Sequence, residues 1–282
     1  MKEMYECYSF LKAGDYKRAI EAGKRAVKKD SNNSYAHLCL GINYFEVGEL
    51  GLALEHLKKA ESLTSDKRHL MFIYTQIGKI YSKMGYLGDA LLYYITSLKL
   101  AIELGDRSIQ AGVLNNIAWI YQHINELDKA LDYFEASLML QTNEKVKAST
   151  YNNIALIYGE KGNYQKAIEY FQKAIEINER YGNYHEASRT KLNLGNTYRE
   201  MKDYEKAEKY LLEGLEGVKK VGDKYWEAVG YGYLGWLYTE TRETKKKAKD
   251  YLTRAYNLVK SIGVEGAAEE VLFYIQELEK KR

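Results

Sequence analysis

Residues 162–174 read Gly162-Asn163-Tyr164-Gln165-Lys166-Ala167-Ile168-Glu169-Tyr170-Phe171-Gln172-Lys173-Ala174. Ala167, Tyr170, Phe171 and Ala174 recur at steps of three and four, which lays them along one face of a helix. Upstream, Tyr151, Ile154, Ala155 and Tyr158 form a stripe of the same period. Lys161-Gly162-Asn163-Tyr164 breaks the two stripes apart with turn-forming residues. The segment is thus a helical hairpin with an apolar face on each arm, and because it can bury neither face alone it requires neighbours of its own kind.

Outward from this hairpin, a small residue followed three places later by an aromatic recurs along the chain. The series is Cys7/Phe10, Gly41/Tyr44, Gly78/Tyr81, Ala118/Tyr121, Ala155/Tyr158, Gly195/Tyr198 and Gly235/Tyr238, at intervals of 34, 37, 40, 37, 40 and 40. Twelve residues after each small position an alanine opens the second stripe: Ala19, Ala53, Ala90, Ala130, Ala167 and Ala207, with Ala248 one place late. Small residues let helix backbones approach to about 8–10 Å. Aromatics fill the spaces that remain, so most of the 28 tyrosines are read as packing.

Composition agrees with an all-α fold. The 282 residues are 46% hydrophobic, enough for a continuous core, and contain no proline to break a helix. The 42 basic and 39 acidic residues are interspersed and leave a formal charge of +3. No basic block stands out, which argues against a nucleic-acid partner. No run of eighteen apolar residues argues for membrane insertion, and the acidic N-terminus, Met1 to Glu6, lacks the apolar core of a secretory signal.

The unit Gly162 to Ala174 resembles the tetratricopeptide repeat, and the likeness extends over residues 1 to about 263. The proline that commonly ends the second helix of that repeat is absent. From the third hairpin on, the second helices are expected to run longer and to stop at Gly105-Asp106, Gly182-Asn183, Gly222-Asp223 and Gly263, with Gly as a left-handed C-cap and Asp or Asn as the next N-cap. Units of 37 and 40 residues are similar to the long repeats of kinesin light chains, the Pins/LGN scaffolds and the bacterial Rap regulators. The resemblance implies one right-handed superhelical solenoid domain of seven helix-turn-helix repeats, at approximately 1–33, 34–67, 71–105, 107–142, 144–182, 184–222 and 224–263. A capping helix over 265–281 follows, with Ala268, Val271, Leu272, Ile275 and Leu278 as its apolar stripe.

In this family the first helix of each pair lines a concave face, which implies a protein-binding groove there. The first-helix positions not used for packing are its candidate contacts. They include Gln76 and Lys79; Asn116, Trp119 and His123; Asn153; Arg189, Asn193, Asn196 and Arg199; and Tyr233 and Trp236. Asn116, Asn153 and Asn193 share one register, with Gln76 in the same place one unit earlier. Asn is a mediocre helix former, so a row of them on one face calls for a reason. A carboxamide has the donors and acceptor that pair with a peptide backbone. Helices about 9 Å apart, against an extended chain rising about 3.3 Å per residue, would place one amide at every third ligand residue. The row is similar to the asparagine ladders with which some family members clamp extended peptides. The alternative is that the amides only tie adjacent helices together. Asn115 and Asn152, one place earlier, are expected to turn toward neighbouring helices. Arg189, Asn193, Asn196 and Arg199 form one strip that could grip a carboxylate or phosphate. The family's carboxylate clamp is only partly matched, since Tyr5, Tyr8, Cys39 and Ile42 stand where it uses lysines and asparagines. Trp119 and Trp236 are read either as ligand anchors or as packing.

The expected function is a non-enzymatic scaffold that holds an extended segment of a partner protein. Alternatives are a Rap-like regulator of a signalling protein, which would need an extra N-terminal bundle where the repeats already begin near residue 2, and weak self-association through the terminal hairpins. No catalytic residue, cofactor or metal site is expected. The five histidines lack ligand spacing, and Gly230-Tyr231-Gly232-Tyr233-Leu234-Gly235 matches a dinucleotide pattern but falls within a predicted helix. Lys245-Lys246-Lys247 reads as a solvated edge. Cys7 and Cys39, the only cysteines, are expected to be buried free thiols, which places the chain in a reducing cytoplasm and leaves the sequon Asn32-Asn33-Ser34 without meaning.

Overall fold

The computed structural model describes residues 2–241 and 245–280. The predicted starting residue 1 and the predicted end of the capping helix at 281 lie outside the described residues. Fifteen helices and no strand are present among the described residues. They are α1 (Lys2–Lys12), α2 (Tyr16–Lys29), α3 (Ser34–Glu46), α4 (Leu50–Ser62), α5 (Lys67–Lys83), α6 (Leu87–Glu103), α7 (Arg107–His123), α8 (Leu127–Leu140), α9 (Glu144–Glu160), α10 (Tyr164–Arg180), α11 (Tyr184–Glu200), α12 (Tyr204–Lys220), α13 (Lys224–Glu240), α14 (Lys245–Ser261) and α15 (Glu265–Lys280). No helix among them is long and apolar enough to cross a membrane.

The chain forms two compact units, Met1–Gln141 and Thr142–Arg282. Within the first, α1/α2, α3/α4, α5/α6 and α7/α8 pack as hairpins, and α1, α3, α5 and α7 lie side by side in turn. Within the second, α9/α10, α11/α12 and α13/α14 do the same, α9, α11 and α13 are neighbours, and α15 closes against α14.

Helix ends follow local chemistry. Gly105 and Gly222 take φ of +67° and +74°, the left-handed conformation that ends α6 and α12. Asp106 and Asp223 then accept hydrogen bonds from the backbone N–H groups of Ile109 and Trp226, starting α7 and α13. Asn183 starts α11 without such a side-chain bond.

Packing inside each hairpin explains the small-residue series. A Cβ added to Gly41, Gly78 or Gly195 would come within 2.6 to 2.7 Å of Leu57, Tyr94 or Leu211, each sixteen positions on, and Gly235 meets Leu252, seventeen on, just as closely. The bulk absent from the first helix is supplied by the second. The same offset leads from Ala118 and Ala155 to Phe134 and Phe171, which are fully buried. At Cys7 the arrangement is reversed, since the residue sixteen on is Gly23, where a Cβ would lie 3.2 Å from the Cys7 sulfur. The second unit's core runs continuously through Phe171, Leu192, Leu211, Leu234, Leu252 and Ile275.

Two expectations are corrected. Cys7 and Cys39 are joined as a disulfide linking α1 to α3 rather than standing as free thiols. Spacing along one helix could not reveal the pairing, because it arises where neighbouring first helices meet. The placement in a reducing cytoplasm drawn from free thiols loses that ground. Leu272, expected in the buried stripe of α15, is exposed, while Ala268, Val271, Ile275 and Leu278 are buried. The glycine-rich stretch 230–235 lies inside α13, where Gly230 and Gly235 admit Leu215 and Leu252.

Candidate functional site

First helices present the side chains that the stripe leaves over, and each unit gathers them into depressions. In the first unit Phe45 of α3, Lys79, Ser82 and Lys83 of α5, and Asn116 and Trp119 of α7 line a depression of about 510 Å3 floored by Tyr94. Trp119 is 38% exposed and its ring lies 3.5 Å from that of His123. The Lys83 ammonium sits 4.9 Å from the Phe45 ring centre. Burial lowers the Lys79 pKa, with the Glu46 carboxylate opposing. Gln76, half-buried on α5, does not line this depression. Asn115 does turn inward, donating to Ser137 Oγ at 2.8 Å and so tying α7 to α8.

The second unit has two depressions that share Asn193. One, about 490 Å3, is bordered by Lys145, Ser149, Asn152 and Asn153 of α9, Arg189 and Asn193 of α11, and Trp226 of α13. The Arg189 guanidinium stacks 4.7 Å over Trp226 and bonds to Glu186 at 2.8 Å, while its Nε is buried without a partner. The other, about 360 Å3, is lined by Leu156, Glu160, Tyr164, Asn193, Asn196, Glu200 and Tyr233.

The predicted strip on α11 is divided in use. Arg189 faces a depression, but Arg199 is engaged within the chain: its Nε donates to Asn196 Oδ1 at 3.0 Å and its terminal nitrogens pair with Glu200 and Glu240. Trp236 packs against Tyr233 and Tyr274 with its ring N–H buried and unpartnered. Asn193 is only 8% exposed and donates to Asn152 Oδ1 at 3.4 Å. Asn116 and Asn153 are half-buried, and their side-chain amides have no hydrogen-bond partner among the described residues. Phe45 and Trp226 were missed by the sequence reading. Neither lies in the asparagine register, and only the stacking of first helices brings them to the depressions.

Comparisons with known proteins agree with this architecture. The Tetratricopeptide repeat family matches residues 69–142, 146–220 and 186–261, and a second profile of the same repeat matches 8–67. A TPR repeat-containing protein of Methanocaldococcus jannaschii is 29% identical over 140 residues, half of this chain but only 23% of that relative. The chain therefore spans under a quarter of that relative's length. Among solved structures, the apo quorum sensor NprR of B. thuringiensis superposes with a TM-score of 0.82 at 18% identity, covering 98% of this chain and 80% of that one. A Rap protein complexed with Competence and Sporulation Factor superposes with a TM-score of 0.64 at 16% identity, covering 99% and 97%. With hairpins stacked on small residues in both units and the repeat profile matched along most of its length, the chain belongs to the tetratricopeptide repeat family.

Proposed function

We propose that this chain is a non-catalytic scaffold that holds an extended segment of a partner protein on its first-helix faces. One observation carries the reading. Each unit presents, beside a depression of its own, an asparagine whose amide no described residue engages: Asn116 on α7 in the first and Asn153 on α9 in the second. An unengaged carboxamide on a helix face offers the paired donor and acceptor that a peptide unit requires. Asn193 adds its carbonyl oxygen, since the bond to Asn152 uses only its Nδ2. Arg189 on Trp226 supplies a cation beside that amide pair, and Lys79, Trp119, His123 and Tyr233 border the remaining surface. Asn196 lines the smaller depression while its Oδ1 holds Arg199, and Arg199 and Trp236 then act from behind, shaping the wall rather than gripping an anion.

The two neighbours in the quorum-sensor and Rap groups support the fold that this reading uses. Titration of a labelled partner segment against Asn116→Ala/Asn153→Ala tests it. The expected loss is about 1–3 kcal/mol for each polar contact removed, with helicity unchanged by circular dichroism. Unaltered affinity would remove the proposal.

A further inference from the structure

The depression of the first unit has walls of unequal character. Its lining, Phe45, Lys79, Ser82, Lys83, Tyr94, Asn116 and Trp119, contains two cations and no carboxylate. Lys79 and Lys83 stand at i and i+4 on α5, the spacing at which like charges repel. Neither has an ion-pair partner among the described residues. Several partly buried cations elsewhere do have carboxylate partners: Lys58 pairs with Glu61, Lys191 with Glu179 and Glu213, and Arg199 with Glu200 and Glu240. Lys83 rests instead over the Phe45 ring, and burial disfavours the charge on Lys79. Beside them the Trp119 ring, which lies against His123, is partly exposed, and the Asn116 amide lies on the same helix one turn back.

We propose that this depression selects an acidic segment of the protein ligand, in which an Asp or Glu carboxylate is received by Lys79 and Lys83 and an adjacent aromatic side chain packs on Phe45 and Trp119. The inference rests on the protein-binding reading above and names the chemistry of its ligand. A carboxylate entering here ends the lysine repulsion and forms charge-assisted hydrogen bonds in a partly dehydrated wall, where such bonds are strong. A lysine-bearing segment would instead add a third cation to a depression whose lining holds no carboxylate.

Short random peptides selected on the full chain, then resynthesised with fluorescein in Glu-Phe, Gln-Phe and Lys-Phe versions on one backbone, test this by anisotropy. The Glu-Phe peptide is expected to bind about tenfold tighter than its Gln-Phe counterpart, and added salt should narrow the gap. Lys79→Gln/Lys83→Gln should abolish the difference between the Glu-Phe and Gln-Phe peptides, whereas Asn116→Ala should weaken both peptides alike. Equal binding of Glu-Phe and Gln-Phe, or a preference that survives the double lysine substitution, overturns the proposal. If the lysine substitutions remove the preference but Asn116→Ala does nothing, the acidic selection stands and the backbone-amide reading falls. If no peptide is retained, both fall together.

Discussion

Asn193 Nδ2 donates to Asn152 Oδ1 across 3.4 Å, joining α11 to α9 within the second unit. The contact is long for a hydrogen bond, so it ties the helices weakly. It also separates two roles for the asparagine row. If the row binds ligand, Asn193→Ala should weaken a bound segment by about 1–3 kcal/mol, and by more than Asn152→Ala, which releases the Asn193 amide. If the row exists only to tie helices, both substitutions should lower stability alike and neither should alter binding. Calorimetric titration beside urea unfolding distinguishes the two.

The Cys7–Cys39 disulfide closes a sequence separation of 32 residues. Loop-closure entropy for such a span corresponds to about 3–4 kcal/mol. Reduction should therefore lower the melting temperature of the first unit, and unfolded protein prepared without reductant should show no reactive thiol. Asn43 sits against the bridge, donating to Cys39 O at 2.8 Å with its own Oδ1 unpartnered. A melting curve unchanged by reductant would contradict the expected contribution.

Gly195 approaches Leu211 so closely that an added Cβ would lie 2.7 Å from its Cγ and 2.9 Å from its backbone nitrogen. The backbone atom cannot swing aside. Gly195→Ala should cost about 1–3 kcal/mol through overpacking, despite the better helix propensity of alanine. Gly112→Ala, where nothing lies within 4 Å, should be neutral or stabilising. The urea midpoint should fall for Gly195→Ala and hold or rise for Gly112→Ala.

Histidines make the first unit sensitive to acid. His37 Nε2 faces the Ser31 carbonyl at 3.1 Å and must carry a proton, so its Nδ1, 2.9 Å from His56 Nδ1, accepts a proton held by His56. Ser34 Oγ donates to the Ala60 carbonyl and thus accepts from His69 Nε2. Burial lowers the pKa of His56 and His69 below the ordinary 6.5, with His37 and Lys24 adding to the effect on His56 against Glu55, and Ser34 and Asp66 opposing it on His69. The unfolded chain then binds more protons than the folded one in the interval just below pH 6.5. Stability is full above that value and falls as the pH drops from there through the lowered values, with the part due to half-exposed His56 reduced by solvent screening. Melts at pH 7.5 and 5.5 should show the drop in the wild type and a smaller one in His56→Gln. Equal melts would refute it.

Much of the architecture is legible along the chain. Gly41, Gly78, Gly195 and Gly235 recur because each hairpin repeats one close approach, and a periodic contact leaves a periodic trace. The glycine stops at 105, 182, 222 and 263 are legible for a related reason: a left-handed residue at a helix end is a local requirement. The asparagine register is legible as a pattern, since Asn116, Asn153 and Asn193 repeat with the helices that carry them.

What periodicity cannot convey is which side chain of a neighbouring helix comes within reach. That decided the fate of Arg199, matched in spacing to Arg189 but taken up by Glu200 and Glu240, and of Cys7 and Cys39, which meet only because α1 packs on α3. It also brought Trp226 beneath Arg189 and Phe45 beside Lys83. Helical period specifies a residue's face on its own helix, whereas ion pairs, bridges and ring contacts depend on the distance between helices, and that quantity exists only once the hairpins have stacked.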